Sequence, residues 1–467
     1  MSQLHRPRMG RRAFLKAAGV ATATATAGLA FKSVLPGQSP FKLADYSGLR
    51  IKRYHIAATD GWVSMPTQTN PIPPFFPDPD APDYTAGRGM YIMGFRDVTA
   101  YAGFVGDKDK GEFPLTPSIM DQKQKAQLTA PIIYTQVGED LRLHLTNLGL
   151  ARRPDLVDSH TIHFHGFPNQ VVYFDGVPDN SVAAPIGRTL IYRYIPEDPG
   201  TYMFHCHFDD VEHVGMGLRG ICFVLPSKGT NYAYDYDETR FDRQFAFLLT
   251  EEDPHLHYND AHLQINDFSQ YAPAFTLMNG RAWPDTIQPN MDPKTGNQLD
   301  GAPVAGSVTQ RLRYNPNSSL IQANSGESIL IRVSNLGYQE HSLVLPGLQM
   351  RMVGRDAKPI VAGRPDYLAA PPNPGQPYAQ GTRADLTVLT NRIDLGPGES
   401  RDMIFVAPHV TKKTIFPFYD RNDSFVHDAA GVAGDGYGGA RTEVHVFPSG
   451  LPGQAFPNQV NAVSGAM

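Results

Sequence analysis

The sequence contains little of what builds helical, membrane-spanning or disulfide-framed proteins. Only two of its 467 residues are cysteine, and charged residues make up 19% of the chain. No apolar run of membrane-spanning length follows the N-terminal segment, which predicts a mature chain without a membrane span. Glycine and proline are abundant instead, with 43 and 40 residues. Such a composition is typical of short strands joined by turns and predicts an all-β chain.

Residues 1–30 have the pattern of an export signal. Arg11-Arg12-Ala13-Phe14-Leu15-Lys16 is a twin-arginine motif, and an Ala/Thr-rich run ending in small residues follows it. We therefore predict a twin-arginine signal peptide over 1–30 and a periplasmic or extracellular mature protein. The segment holds five basic residues and no acidic one, so its removal takes the net charge from −5 to −10. An acidic chain is a poor match for nucleic acid as a partner.

Two strand-like segments repeat along the chain. Residues 138–149 and 326–337 both begin with Gly-Glu, alternate between apolar and polar side chains, and end in Asn-Leu-Gly. Alternation with a period of two predicts a half-buried strand, and a repeat this long indicates a duplicated domain. We predict domain 1 at about 45–228 and domain 2 at about 240–450, each a Greek-key β-sandwich.

Histidines concentrate around one of the two cysteines. Six of the 16 histidines lie between residues 160 and 213. Imidazole and thiolate at this density indicate a transition-metal site. The CxxC-like spacing that structural zinc sites prefer is absent from the sequence. The candidate metal ligands are His160, His163, His165, His205, Cys206, His207, His213 and Met216. The other cysteine, Cys222, lies in an apolar run and is predicted to be a core residue.

Strand geometry separates these residues into two groups. Because side chains alternate across a strand, Cys206 points away from its two histidine neighbours. In the first cluster, His160 points away from His163 and His165 for the same reason. One predicted site combines two imidazoles, a thiolate and a thioether, which is the type 1, blue-copper set; its members are His160, Cys206, His213 and Met216. The other predicted site has only imidazoles, from His163, His165, His205 and His207.

The motifs HxxHxH and HCH, with a trailing His and Met, resemble the copper motifs of multicopper oxidases and laccases, including two-domain members. The resemblance implies cupredoxin-like domains, copper as cofactor, and an oxidoreductase that takes single electrons from a small reducing substrate and reduces dioxygen. Electrons would pass through His205-Cys206-His207, the residues that carry the chemistry. It implies a type 2 role for His163, type 3 roles for His165, His205 and His207, and a homotrimer in which a neighbour's domain 2 completes the second site.

The sequence departs from this family in domain 2. The positions aligned with His163, His165, His205 and His207 are Val344, Pro346, Phe418 and Asp420. A full trinuclear centre therefore looks incomplete, and two alternatives stay open. One is a copper nitrite reductase-like enzyme with type 1 and type 2 copper; the other is a non-catalytic type 1 electron carrier. The three differ in copper count per subunit, which the sequence does not determine, and neither does it determine the electron donor.

Overall fold

The computed structural model describes residues 48–65, 80–82, 88–102, 115–167, 172–292, 294–295, 311–362, 384–385, 387–422 and 439–461. The predicted signal peptide, residues 1–30, lies outside the described residues. Within these ranges, strands dominate and the helices are short, which confirms the all-β prediction. No helix in the described ranges is long and apolar enough to cross a bilayer.

The first sandwich consists of two four-stranded sheets, with strand orders β2-β1-β4-β6 and β3-β8-β7-β5. The strands β1 and β4 pair in parallel, as do β3 and β8, and the other pairs are antiparallel. The strands are β1 (Ile51–Met65), β2 (Arg88–Asp97), β3 (Ile133–Gln136), β4 (Asp140–Gly149), β5 (His163–Phe164), β6 (Thr189–Tyr194), β7 (Gly200–His205) and β8 (Arg219–Leu225).

The second sandwich has sheets of order β10-β9-β12-β20-β14-β15, with β18 beside β14, and β11-β22-β21-β13-β19; β16 and β17 form a separate pair. Its strands are β9 (Arg243–Glu252), β10 (Phe275–Met278), β11 (Ile321–Asn324), β12 (Ser328–Asn335), β13 (His341–Val344), β14 (Met350–Arg355), β15 (Lys358–Pro359), β16 (Val361–Ala362), β17 (Ala384–Asp385), β18 (Val388–Thr390), β19 (Arg392–Leu395), β20 (Ser400–Val406), β21 (Thr414–Asp420) and β22 (Arg441–Phe447).

Helices are brief connections between strands. The α-helices in the described ranges are α1 (Pro117–Met120), α2 (Asp210–Met216) and α3 (Pro254–Ala261). Short 3-10 turns occur at Thr99–Tyr101, Val172–Phe174, Asp237–Thr239, Phe268–Gln270 and Asp285–Ile287. The helix α2 directly follows β7 and matters most here, because it carries two of the candidate ligands.

The repeated sequence occupies the same place in both sandwiches. β4 pairs with a parallel strand on one side and an antiparallel strand on the other, and β12 does the same. The turn glycines Gly138 and Gly326 have φ of 79° and 81°, a region that favours glycine. The glutamate after each accepts a backbone N–H from three residues earlier, at 2.9 Å in the first copy and 2.7 Å in the second. The repeat thus encodes the turn as well as the strand.

The strand β7 divides its side chains between two surroundings. Tyr202 and Phe204 lie in the core of the first sandwich. On the other face, Met203 packs with Leu248 of the second sandwich in a small apolar cluster, and Thr201 donates a hydrogen bond to a carboxylate on β20. Because faces alternate along a strand, His205 shares the face that meets the second sandwich, and the next residue returns to the core.

A buried cluster of charged and polar side chains connects the two sandwiches. Asp402 on β20 accepts hydrogen bonds from Thr201 and, at 2.6 Å, from the hydroxyl of Tyr234. The guanidinium of Arg332 on β12 lies 3.6 Å from the same carboxylate and 4.7 Å from the ring centroid of Phe223 on β8. Both ionic side chains are almost wholly buried, at 0% and 2% exposure. The carboxylate of Asp402 therefore neutralises a cation that water cannot reach.

We expect Asp402→Asn to lower the free energy of unfolding by about 3 kcal/mol, because it leaves the buried Arg332 cation without a charge partner. Urea unfolding followed by tryptophan fluorescence measures the change. The control is Asp394→Asn, which removes a carboxylate paired with Arg392 at the surface, where the two side chains are 57% and 47% exposed; we expect a loss below about 1 kcal/mol. Equal losses would contradict the role given to the buried pair.

Candidate metal centre

The first candidate site forms around the thiol of Cys206 inside the first sandwich. The sulfur lies 3.3 Å from Nδ1 of His213 and 3.7 Å from Nδ1 of His160. These three side chains are 0–1% exposed, and their potential ligand atoms lie within 4.8 Å of one another. The structure therefore brings together two imidazoles and the thiol that the sequence assigned to one group.

Three separate elements supply these side chains. Cys206 follows β7, and its backbone N–H donates to Leu218 O at 2.9 Å. His160 precedes β5, where its backbone exchanges two hydrogen bonds with Ala184, at 3.0 and 2.8 Å. His213 and Met216 lie on α2, three residues apart, so they share one face of the helix. Met216 is fully buried in the same core cluster as Cys206.

The surroundings keep both imidazoles of the first site neutral, as a metal requires, but they keep the thiol protonated. Burial, together with His213, lowers the pKa of His160 well below its ordinary value. Burial lowers the pKa of His213 to about 4, so both rings are neutral with a lone pair available at pH 7. Burial raises the pKa of Cys206 to about 11; a cation must therefore displace the thiol proton. The Thr161 backbone N–H donates to the sulfur at 3.5 Å.

The second candidate site lies on the other face of the same two strands. His163 and His205 oppose each other in the β5–β7 ladder, and Nε2 of His205 lies 2.9 Å from Nε2 of His165. Potential ligand atoms of these three histidines lie within 4.8 Å of one another. His207 is not in that set, although its ring centroid lies 5.0 Å from that of His163. Three of the four predicted imidazoles thus converge.

Backbone carbonyls orient the rings of the second site. His163 donates from Nδ1 to Asp175 O at 2.6 Å, and His205 donates from Nδ1 to Cys206 O at 2.8 Å. Since a carbonyl only accepts, both rings carry their hydrogen on Nδ1 and keep a lone pair on Nε2. This is the arrangement typical of metal-binding histidines. Burial lowers the pKa of His205 to about 3 and of His165 to about 4, so these rings are neutral.

The donor sets of both sites suit copper. The first brings together a thiol and two imidazoles, all buried, and Met216 on the helix of His213 is the predicted thioether donor that would complete a blue-copper combination. The second offers imidazoles only, on a face that stays partly open, since His163 and His165 are half-buried. An added Cβ at Gly398 of the second sandwich would lie 3.7 Å from Nδ1 of His165. The turn that contains Gly398 therefore lies close to the ring of His165.

Strand register corrects the sequence alignment of the second sandwich. Val344, the counterpart of His163, pairs with Tyr419 and not with Phe418. Asp420 is therefore the counterpart of Cys206, whereas the sequence alignment matched it to His207. The offset is supported by Gly166 and Gly347, which both have positive φ, and by Phe418, which is buried in the core as Phe204 is.

The corrected alignment shows which residues of the second sandwich occupy the positions equivalent to the first site. His341, the counterpart of His160, donates from Nδ1 to Asp420 at 2.7 Å and from Nε2 to Glu251. All three side chains are fully buried. Both ring nitrogens are used, so His341 cannot serve as a ligand for another subunit's metal. Among the described residues, the second sandwich contributes no histidine to either group.

Several contributors to the two sites escaped the sequence analysis. Thr161 and Asp175 act mainly through backbone atoms, which leave no signal in residue type. Arg219 and Glu252 form a buried ion pair beside α2. A sequence signal for this pair exists: Glu251-Glu252 follows closely on the apolar run 245–249, and acidic side chains that are buried need partners.

The His341 triad predicts a pH dependence of stability. Burial alone would lower the pKa of His341, but hydrogen bonds to Asp420 and Glu251 outweigh it and raise the pKa to about 9. A raised pKa stabilises the fold fully below the unfolded value of about 6.5, and the effect is lost as pH rises through 9. We expect His341→Asn to have a lower free energy of unfolding than the parent. The difference between the two proteins should shrink by about 3 kcal/mol between pH 6 and 9.5, because the parent loses the stabilisation from protonated His341 over that range. Urea unfolding across this range measures it; a constant margin would contradict the assignment.

Comparisons with known proteins agree with this geometry. Residues 106–227, most of the first sandwich, match the family model described as multicopper oxidase. Curated relatives include laccase-25 of Oryza sativa subsp. japonica, 26% identical over 24% of this chain and 23% of that protein. Another is the iron transport multicopper oxidase FET3 of Saccharomyces cerevisiae, 34% identical over 24% of this chain and 16% of that protein. The matches thus span less than a quarter of these relatives.

Solved structures extend the likeness to both sandwiches. The blue copper oxidase from Nitrosomonas europaea superposes with a TM-score of 0.54, 17% identity, and coverage of 85% of this chain and 86% of that one. The multicopper oxidase mgLAC superposes with a TM-score of 0.52, 16% identity, and coverage of 87% and 89%. At such identities the likeness concerns the fold, which consists of two cupredoxin-like Greek-key β-sandwiches. The matched first sandwich is thus similar to multicopper oxidases, and the likeness of both sandwiches to these solved structures concerns the fold.

Proposed function

We propose that the protein is a copper-dependent oxidoreductase of the multicopper oxidase type, which takes single electrons from a small reducing substrate and delivers them to dioxygen. The main observation in support is that Cys206 lies next to two buried imidazoles, while the adjacent residue His205 belongs to an all-imidazole group on the opposite face of the strand. Copper, when bound, supplies reversible one-electron chemistry at the first site and dioxygen reduction at the second. This sequence and fold are consistent with laccase-type relatives.

The residues of the first site serve to hold a metal without rearrangement. The two imidazoles and the thiol are buried and already converge, and Met216 is buried in the same core on the helix that carries His213, so these side chains would need little movement to hold a metal. Fixed donors lower the cost of changing oxidation state, because little has to move. Burial also excludes water from the thiolate.

The tripeptide 205–207 joins the sites covalently. The Nδ1–H of His205 donates to the carbonyl of Cys206 at 2.8 Å, which adds a hydrogen-bonded link parallel to the peptide bonds. An electron that enters at Cys206 therefore has a short route to the imidazole group. Since His163 and His165 remain partly accessible, a small oxidant such as dioxygen can reach that face.

A reductase with fewer copper ions is the second candidate. It is favoured by one observation: the His341 nitrogens are both bound to carboxylates, and the described part of the second sandwich gives no imidazole to the second site. A copper nitrite reductase-like enzyme needs fewer histidines there than a trinuclear oxidase. A type 1 electron carrier would need none. Copper analysis of the purified protein, with dioxygen uptake on a phenolic donor and nitrite turnover in parallel, separates the three.

We further propose export through the twin-arginine pathway, on the Arg11-Arg12 pattern, and assembly as a homotrimer, in which a neighbour would complete the second site. Fractionation of cells expressing the native chain and an Arg11→Lys/Arg12→Lys variant tests export. Light scattering of the copper-loaded protein tests assembly.

We expect Cys206→Ser to abolish the intense visible absorption of the copper-loaded protein, because a hydroxyl cannot replace the thiolate donor. Cys222→Ser is the matched control, since Cys222 is also a free, fully buried cysteine of the same core. It should keep the absorption. Loss of colour in both variants, or in neither, would contradict a type 1 site at Cys206.

The double variant His165→Ala/His205→Ala should keep the visible absorption and lose dioxygen uptake by a factor of at least about 100, because it removes two converging imidazoles and leaves the thiol site intact. Absorption spectra and an oxygen electrode give the two readouts. The control is His445→Ala, in a β22 histidine paired with Glu443, which should change neither. Undiminished uptake in the double variant would contradict the placement of dioxygen chemistry at the second site.

A further inference from the structure

The helix α2 carries two candidate ligands of the first site but has little stability of its own. It spans seven residues, and its N-cap residue Asp209, at φ 48°, makes no side-chain capping hydrogen bond. Isolated helices shorter than about 12 residues are marginal in water. The positions of His213 and Met216 therefore depend on what other elements do to α2.

Arg219 holds the C-terminal end of this helix. It is 1% exposed, and its Nη1 donates to Val214 O at 2.7 Å. Its Nη2 donates to Glu252, the last residue of β9, which is fully buried. A guanidinium fork can bind a carbonyl and a carboxylate at once, and a cation at a helix C-terminus is favourable. The helix end and the ion pair are thus fixed together.

Glu252 is itself held from the side of the second sandwich. Its carboxylate accepts a hydrogen bond from the Thr250 hydroxyl at 3.2 Å and lies 3.2 Å from Nε2 of His257 on α3. The ring of His257 donates from Nδ1 to Tyr91 O at 2.7 Å. The carboxylate therefore cannot follow Arg219 if the helix shifts, and it acts as a fixed anchor.

The neighbouring glutamate reaches the other end of α2. Glu251 accepts the backbone N–H of Tyr338 at 2.7 Å, and the Tyr338 hydroxyl donates to Val211 O at 2.8 Å. Next to the C-terminal end of α2, an added Cβ at Gly215 would lie 3.0 Å from Leu256 of α3. Tyr338 and Leu256, both outside the strands of the first sandwich, therefore lie against α2 near its two ends.

We propose that the Arg219–Glu252 pair is a positioning device for the first copper site: through it, the second sandwich, which supplies none of the ligands of that site, fixes α2 where His213 meets Cys206. Arg219 contacts none of the four donor atoms and acts through the Val214 carbonyl. Calling the site a copper site rests on the proposed function, but the positioning belongs to the polypeptide and can be measured without metal.

The test uses the double variant Arg219→Met/Glu252→Gln in the full chain. It removes both charges, so no buried ion is left unpaired, and Gln keeps an oxygen for Thr250 and His257. After copper removal, the protein is treated with iodoacetamide, and labelling of each cysteine is followed by peptide mass spectrometry. Cys206 is covered by α2, whereas Cys222 lies in the same core away from it and serves as an internal control.

We expect Cys206 to label about tenfold faster than in the parent, because losing a hydrogen bond from a charged donor loosens α2 locally, and Cys222 to label at the parental rate. Equal acceleration at both cysteines would indicate general loosening and overturn the proposal. Unchanged labelling at Cys206 in a folded variant would also overturn it. The control, Arg311→Met/Asp285→Asn, removes a different buried pair of an arginine and a carboxylate and should leave Cys206 at the parental rate.

If the double variant does not fold, Arg219→Lys gives the same readout. A single lysine ammonium cannot bind the Glu252 carboxylate and the Val214 carbonyl as the two guanidinium nitrogens do. The lysine variant should label faster at Cys206 alone. Faster labelling at both cysteines, or at neither, would overturn the proposal. In copper-loaded protein, either variant should shift the visible absorption maximum. If the copper-treated parent is colourless but the variant shows selective labelling of Cys206, the proposed function is refuted and the positioning role stands. If the parent is blue but the variant shows no selective labelling, the positioning role is refuted and the proposed function stands.

Discussion

The alternation of side chains along β7 is the constraint on which the rest of this structure depends. Successive residues must point to opposite faces, so Cys206 enters the core of the first sandwich while His205 faces the second sandwich. Two sites with different donors therefore form back to back, separated by one peptide link. A helix at this position would have placed the three residues of the tripeptide around its circumference and brought neither group together.

The second sandwich shares the strand pairing around the repeat with the first, but its equivalent positions do not offer the same donors. Where the first has His160 beside Cys206, the second has His341 beside Asp420, with Glu251 on the ring's other nitrogen. A buried imidazole between two carboxylates is satisfied as an ionic group and leaves no lone pair for a metal. The position that offers metal donors in the first sandwich therefore holds a structural cluster of charged side chains in the second.

The second sandwich also contacts the element that carries two candidate ligands of the first site. Glu251 and Glu252 are consecutive on β9, so their side chains point to opposite faces. One closes the triad around His341, and the other pairs with Arg219 beneath α2. Two adjacent residues of one strand therefore contact both the His341 cluster and the arginine that supports α2.

Sequence alone determined the elements that depend on local spacing. The repeat predicted two sandwiches because Gly-Glu and Asn-Leu-Gly set a turn and a strand by short-range hydrogen bonds. The period of two separated His160 and Cys206 from His163, His165 and His205. Tertiary structure alone decided the rest. The β13–β21 register made Asp420 the counterpart of Cys206, and contacts between residues far apart in the chain placed α2, paired Arg219 with Glu252 and occupied both nitrogens of His341. Such pairings depend on how sheets pack against each other, and no spacing within the chain encodes that.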